Sequence, residues 1–251
     1  MKLPAPDILL IQARRADDSS AEHELECFSR RCQIPVDAFT VLNMALDPVD
    51  SVDLLDHDMV MVGGAGHFSL AEGGFDWHQD LLDLMLEVVR RQMPMFASCF
   101  GFQAIVQALG GDIEQVDEMA ELGTHRVYLT DAGRADGLFG EHPDAFDAQF
   151  GHNDSATTLP EELILLARSD RCPHQAVRYQ DLPIVATQFH PELSWRDNAR
   201  RYMTYLENYA APDISSEEAE RRAMEMHAPS PHANGLLMQF MKDIMEWTHS
   251  R

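Results

Sequence analysis

The chain has 251 residues, of which 45% are hydrophobic and 24% are charged. These proportions are typical of a folded globular protein and exclude intrinsic disorder for the bulk of the chain. The formal net charge of −23 at pH 7 argues against a nucleic-acid or anionic-membrane partner, because the chain repels phosphate groups. A chain of this length buries a sufficient core without disulfide bonds.

The longest apolar runs are short, for example residues 8–11 and 59–62. A membrane-spanning helix needs about 20 apolar residues, so we predict no membrane segment. The amino-terminal sequence MKLPAPDILLIQARR lacks the cleavage pattern of a signal peptide, and we therefore predict a cytoplasmic protein. The cysteines show neither a Cys-x-x-Cys spacing nor a dense framework, which predicts reduced thiols and no metal site. They are Cys27, Cys32, Cys99 and Cys172.

Apolar runs alternate with helix-like segments through the first 111 residues. Strands are predicted at residues 7–12, 38–44, 58–64 and 93–98. Helices are predicted at residues 19–32, 75–91 and 100–111, where apolar residues recur three and four apart. The second helix is predicted to be amphipathic, with an apolar face formed by Leu81, Leu82, Met85 and Val89. This alternation predicts an α/β fold with a mostly parallel sheet covered on both faces.

From residue 113 to 190 the pattern changes to short strand-like runs separated by turn residues, which predicts a mixed sheet in this half. The runs are residues 124–130, 144–151, 162–169, 174–180 and 182–189. A helix is predicted at residues 198–207. We interpret residues 1–210 as one domain and residues 211–251 as a helical C-terminal extension, which packs on the domain or forms an interface.

Cys99 directly follows a predicted strand and opens a predicted helix. A sharp strand-to-helix turn would hold its sulfur at the carboxyl edge of the sheet, and Gly101 would leave room for close backbone approach. The positive end of the helix dipole would favour the thiolate and therefore attack on a carbonyl carbon. The alternative is a buried structural cysteine.

His190 ends the predicted strand at residues 182–189. It lies on the same sheet edge as Cys99 if the two strands are parallel, which makes it a candidate base. Glu192 is placed to accept the other imidazole N–H, as the acidic member of a nucleophile–His–acid triad does.

Gly63 and Gly64 end another predicted strand, in the sequence Val-Gly-Gly-Ala-Gly. Backbone N–H groups in such a turn can stabilise an oxyanion, and we predict those of Gly64 and Phe100 as the pair. A plain tight turn is the alternative. Neither a P-loop nor a G-x-G-x-x-G sequence follows, so we predict no phosphate-binding or dinucleotide cofactor.

The order of these pieces, with a Cys-x-Gly-x-Gln elbow and a His-Pro-Glu sequence, resembles the class I (triad) glutamine amidotransferases over roughly residues 40–208. His152, Asn153 and Asp154, followed by a Leu-Pro pair, are similar to the family's His-x-Asp loop. The resemblance implies a flavodoxin-like three-layer sandwich with a mixed, mostly parallel central sheet.

The resemblance also implies roles for the site residues. Cys99 would attack the glutamine side-chain amide, His190 would shuttle the proton to the departing ammonia, and Glu192 would orient His190. A glutamyl thioester on Cys99 would then hydrolyse. The implied substrate-binding residues are Gly63, Gln103, His152 and Asp154.

The chain departs from the family pattern beside the site. Ala65 stands where the family commonly has proline, Ala97 and Ser98 stand before the cysteine where glycine and an aliphatic residue are usual, and Ala156 replaces a frequent valine. These changes affect the expected substrate fit more than the triad.

Three functions remain open at this point. The first is a glutaminase that supplies ammonia to a separate synthetase chain, because residues 209–251 are too few for an ATP-binding domain; the elbow and loop are similar to the amidotransferase component of guanylate synthesis. The second is a free-standing hydrolase of larger γ-glutamyl amides, with residues 66–74 and an exposed Trp195 as candidate lining. The third is a non-catalytic binding protein on the same fold. The expected partners are the small-molecule substrate, a second copy of the chain in a homodimer and a separate synthetase subunit.

Overall fold

Strands and helices alternate along the chain in the computed structural model, which describes residues 5–209 and 214–249. The strands are β1 (Ile8–Ala13), β2 (Phe39–Asn43), β3 (Met59–Ala65), β4 (Met95–Ser98), β5 (Ile113–Gln115), β6 (Glu121–Leu129), β7 (Ala145–His152), β8 (Asp154–Ala156), β9 (Leu163–Ser169), β10 (Ala176–Tyr179) and β11 (Ile184–Thr187). The helices are α1 (Ser20–Cys32), α2 (His78–Arg90), α3 (Phe100–Ala108), α4 (Asp131–Ala135), α5 (Trp195–Thr204), α6 (Leu206–Tyr209), α7 (Ser216–Met226) and α8 (Pro231–His249).

Nine of these strands form one mixed sheet in the order β2-β1-β3-β4-β11-β10-β9-β6-β7. The strands from β2 to β11 pair in parallel, and those from β11 to β7 pair antiparallel. The predicted mostly parallel first half and the predicted mixed second half are therefore confirmed.

Alternate residues of the parallel strands enter two separate cores. In β1, Leu9 and Ile11 pack with α2 and α3, whereas Ile8 and Leu10 pack with α1 and α8. Burial on both faces explains why these strands are continuous apolar runs. The result is the predicted helix–sheet–helix sandwich.

The register of three adjacent strands places the candidate residues at one edge of the sheet. Val62 of β3 pairs with Ala97 of β4, and Thr187 of β11 pairs with Ser98 of β4. Because the three strands are parallel, their carboxyl ends meet there. The segments that follow them, including Cys99 and His190, converge at this edge.

Some elements differ from the prediction. Helix α4 and the strands β5 and β8, which form a separate two-stranded sheet, gave no recognised signal. The helix predicted at residues 198–207 begins earlier, at Trp195, because Ser194 and Asp197 form a capping box. It is followed by the separate helix α6.

The apolar face of α2 also differs from the prediction. The buried residues of this helix are Leu81, Leu84, Met85 and Val88. They have the i, i+3, i+4, i+7 spacing of one helical face, whereas Leu82 and Val89 lie beside it and are only partly buried.

The C-terminal helices pack on the sheet and its helices. Leu236, Leu237 and Phe240 of α8 enter the same core as β1, and the rings of Phe240 and Phe96 lie 5.3 Å apart, edge to face. Residues 210–213, around the predicted domain boundary, are outside the described residues. Among the helices of the described residues, none has both the length and the apolar character that a membrane crossing requires.

Candidate active site

Cys99 occupies the sharp turn between β4 and α3. Its backbone has φ 52° and ψ −102°, a conformation that is costly for a residue other than glycine. The Cys99 N–H donates to the Thr187 carbonyl at 2.7 Å, which ties the turn to β11. A Cβ at Gly101 would lie 2.7 Å from Val62 Cβ, so only glycine allows α3 to start this close to β3. The strand–Cys–helix turn predicted from the sequence is present.

His190 and Glu192 form a buried pair beside this turn. His190 Nδ1 lies 2.6 Å from Glu192 Oε1, and the two residues are 4% and 0% exposed. Because Nδ1 is used in this way, the remaining ring nitrogen, Nε2, is the one that can hydrogen-bond the Cys99 side chain. The His190 N–H donates to the Gln149 carbonyl at 2.9 Å, which fixes the backbone.

The charges of this group favour an ion pair. Burial lowers the pKa of His190, but the negative charges of Glu192 and Cys99 and their hydrogen bonds outweigh burial and raise it from 6.5 to about 10. Burial raises the pKa of Glu192, yet the His190 and Arg201 cations hold it below its ordinary value. His190 is therefore an imidazolium at neutral pH in this structure.

Gln188, which sequence analysis did not select, lies between the nucleophile and the predicted substrate loop. Its Nε2 is 3.8 Å from Cys99 Sγ, and its Oε1 accepts from Gln103 Nε2 at 3.2 Å. Gln103 Nε2 also donates to the Asp154 carbonyl at 2.9 Å, so this amide nitrogen is committed to protein groups. The signal in the sequence was a polar residue at the end of an apolar strand, directly before Phe189 and His190.

The His-x-Asp segment is held by its own contacts. His152 Nδ1 bonds the Asp154 carbonyl at 2.9 Å, and Nε2 lies 3.4 Å from Glu121 Oε2. The Asp154 carboxylate accepts from Ser69 Oγ at 2.8 Å and from the Ala71 N–H at 3.2 Å. This loop and the loop after β3 therefore form one wall.

A cavity of about 400 Å³ opens beside Cys99. Phe100, Gln103, His152 and Asp154 from the predicted set line it, together with Gly66, His67, Phe68, Ser69 and Glu72 of the loop at residues 66–74. Arg15 and Glu207 add opposite charges to its wall. Gly63, Gly64, His190 and Glu192 are not among the lining residues.

Trp195 does not line this cavity. It borders a separate surface groove with Pro229 and Pro231, and the Arg196 guanidinium lies over its ring at 4.4 Å from the ring centroid. Its side chain is half-buried rather than exposed. The expectation that Trp195 lines the site is therefore wrong, because α5 begins at this residue and directs it elsewhere.

The predicted oxyanion donors are not assembled as a pair. The Gly64 N–H donates to Glu24 Oε1 at 3.1 Å. Phe100 is the first residue of α3, where an N–H has no carbonyl partner within its own helix. The glycine turn was recognisable in the sequence, but the direction of its N–H depends on a carboxylate 40 residues earlier in the chain.

His23, Cys27 and Asp197 form a group whose possible metal-ligand atoms all lie within 4.8 Å of one another. This juxtaposition of α1 and α5 was not predicted. Arg30 Nη2 lies 3.2 Å from Cys27 Sγ and 2.8 Å from Asp197 Oδ2, so a guanidinium already neutralises the carboxylate. Burial raises the pKa of the Cys27 thiol to about 12.

Comparison with known proteins places these residues in a family context. The family model described as glutamine amidotransferase class-I matches residues 24–206. One of the two subunits named for a glutamine-hydrolyzing GMP synthase in Methanopyrus kandleri is 31% identical over 113 residues, which cover 45% of this chain and 59% of that protein. The glutamine-hydrolyzing GMP synthase of Pseudomonas fluorescens is 32% identical over 122 residues, which cover 45% of this chain and 22% of that protein. The matched part is thus less than two thirds of either relative.

Solved structures share the fold over nearly the whole chain. A glutamine amidotransferase from Thermotoga maritima has a TM-score of 0.68 at 21% identity and covers 95% of this chain and 97% of its own. A glutamine amidotransferase from Methylobacillus flagellatus has a TM-score of 0.71 at 21% identity, with coverage of 98% and 95%. At these identities the likeness shows a common fold.

Proposed function

The chain belongs to the class-I glutamine amidotransferase family, and we propose that it hydrolyses the side-chain amide of glutamine to glutamate and ammonia. One arrangement carries this proposal: Cys99 on a strained strand-to-helix turn, beside a His190 whose Nδ1 is 2.6 Å from Glu192. A nucleophile, a base and an orienting acid in this order are what acyl transfer through a covalent intermediate requires.

The first half-reaction forms a thioester. The Cys99 thiolate attacks the amide carbonyl carbon and a C–S bond forms. His190 donates its Nε2 proton to the nitrogen, the C–N bond breaks and ammonia leaves. The buried Glu192 carboxylate stabilises the imidazolium before this transfer and fixes the ring orientation.

The second half-reaction returns the site to its starting state. Neutral His190 accepts a proton from water, and the hydroxide adds to the thioester carbonyl. The C–S bond then breaks, which releases glutamate and restores the Cys99 thiolate beside the imidazolium.

The negative oxygen that forms in both steps needs donors. We assign the Phe100 N–H to this role, and the Gly64 N–H can join it only after leaving Glu24. Gln103 and Gln188 hold the wall next to Cys99, while His152, Asp154 and Gly63 complete the substrate site, Gly63 through its backbone position.

A separate synthetase is the proposed acceptor of the ammonia. The Methanopyrus kandleri relative is named as one subunit of a glutamine-hydrolyzing GMP synthase, and such a name implies a second subunit in that protein. By analogy, we place this chain as the amidotransferase partner of a separate synthetase chain.

A second candidate function is hydrolysis of larger γ-glutamyl amides. The cavity of about 400 Å³ falls within the range of about 300–1,000 Å³ that holds ligands larger than one amino acid. Arg15 and Glu207 in its wall offer charge partners for a carboxylate and an ammonium group. The same thioester chemistry serves any substrate with a γ-glutamyl carbonyl.

Release of glutamate and ammonia from L-glutamine by the purified chain tests the proposal, beside a panel of γ-glutamyl amides. Cys99→Ala should abolish turnover, whereas Cys172→Ala, which removes another buried thiol outside the site, should retain it. Turnover of the larger amides alone would select the second candidate. Equal turnover in the wild type and in Cys99→Ala would reject both.

A further inference from the structure

Glu24 is a fully buried carboxylate that lies against the Gly63–Gly64 segment. Oε1 accepts from the Gly64 N–H at 3.1 Å and from Arg14 Nη2 at 2.7 Å. Oε2 accepts from Gln12 Nε2 at 3.0 Å and from Arg14 Nε at 3.3 Å. A buried carboxylate is costly unless cations and donors surround it, so four donors from three residues make this a built arrangement.

The glycine segment lies between Glu24 and the proposed base. A Cβ at Gly63 would stand 2.5 Å from Glu24 Oε1, and a Cβ at Gly64 would stand 2.9 Å from His190 Cε1. The segment therefore contacts the carboxylate on one side and the imidazole on the other. Fixing its position fixes one wall of the space in which the imidazole ring moves.

Arg201 connects the same carboxylate to the proposed triad. Its Nη2 lies 3.5 Å from Glu24 Oε1, and its positive charge helps to hold the pKa of Glu192 below the ordinary value. One buried arginine therefore faces two carboxylates. If Glu24 lost its charge, Arg201 would pair with Glu192 alone and compete with His190 for that carboxylate.

We propose that Glu24 is a positioning residue for the Cys99 site: it holds the Gly63–Gly64 segment against His190 and shares the Arg201 guanidinium with Glu192. This inference rests on the proposed function, because it names what holds the base of that reaction in place. Glu24 is not among the residues that line the cavity. Its removal should therefore act on kcat rather than on substrate binding.

The test uses the full chain with the isosteric variant Glu24→Gln and the charge-conserving variant Glu24→Asp. Glu26→Gln is the matched control, because Glu26 is exposed on the same helix. We expect Glu24→Gln to lower kcat for glutamine hydrolysis about 100-fold, as small misplacements of catalytic groups do. KM should stay within about twofold, and Glu24→Asp should regain part of the loss.

A kcat that is unchanged or higher in folded Glu24→Gln would overturn the inference. An increase would mean that Glu24 only withholds the Gly64 N–H from the reaction. Far-UV circular dichroism and thermal unfolding establish folding for each variant. If Glu24→Gln does not fold, the same comparison is decided by Glu24→Asp, whose shorter side chain withdraws the carboxylate from Gly64.

A second readout needs no turnover. Deuterium exchange of the Gly64 amide should be faster in Glu24→Gln than in Glu26→Gln, because a neutral amide is a weaker acceptor than a carboxylate. Iodoacetamide should alkylate Cys99 more slowly at pH 7, because a displaced His190 stabilises the thiolate less. If both changes occur but wild type turns over no γ-glutamyl substrate, the proposed function fails and the positioning role stands. Unchanged exchange and alkylation would reject the positioning role.

Discussion

At the scale of single residues, the chemistry of this site depends on charge in a buried place. His190 keeps its proton because Glu192, 2.6 Å away, and the Cys99 sulfur outweigh the effect of burial. Remove the carboxylate charge and burial should dominate, since burial by itself disfavours the imidazolium. The pKa of His190 thus reports directly on the pair.

We therefore expect Glu192→Gln to lower the pKa of His190 from about 10 toward or below its ordinary 6.5. Wild type would then hold an imidazolium across neutral pH, whereas the variant would lose it as the pH rises through about 6 to 7, and with it the proton for the leaving ammonia. Titration of the His190 ring resonances by NMR measures both values. Identical titration curves for wild type and Glu192→Gln would contradict the assigned pairing.

At the scale of elements, the decisive feature is how closely α3 starts against β3. The first turn of α3 carries Gly101, and the Val62 side chain and carbonyl fill the space where a Cβ would stand. This contact holds Cys99 in its positive-φ turn, which no local preference of cysteine would maintain.

Gly101→Ala should therefore lower the free energy of unfolding by about 1–3 kcal/mol, as overpacking does. It should also reduce turnover, because relief of the clash moves the Cys99 turn. Gly137→Ala is the matched control, since a Cβ there meets no atom within 4 Å. Urea unfolding curves provide the comparison, and equal midpoints for the two variants would contradict the packing argument.

At the scale of the whole molecule, the C-terminal helices belong to the same core as the central sheet. Phe240 of α8 packs edge to face on Phe96 of β4, the strand that carries Cys99. We propose that residues 211–251 extend the domain of residues 1–210 rather than fold apart, because α8 covers one apolar face of the sheet.

A chain that ends at residue 210 should consequently lose cooperative unfolding or fail to fold, since an apolar sheet face becomes exposed. Point variants give the same information in the intact chain. Phe240→Ala should cost about 3–5 kcal/mol of unfolding free energy, whereas Met224→Ala, at a side chain 60% exposed, should be close to neutral. Thermal unfolding that is unchanged by the truncation would show that the extension folds separately.

Local sequence was sufficient for the features that contiguous residues encode. The strand before Cys99, the glycine two residues after it and the strand that ends at His190 are each a short pattern, and alternation of strands and helices predicted the layers. Parallel pairing of β4 and β11 then followed the expected rule for such sheets.

Tertiary structure alone decided what surrounds these residues. Glu24 meets Gly64 across 40 positions of chain, and Arg201 reaches Glu24 from α5. No periodicity or motif records such contacts, because they exist only once the helices have packed on the sheet. The sequence by itself therefore determined which residues could react, and packing determined where the Gly64 N–H points, which cations neutralise the buried carboxylates and how large a substrate the cavity admits.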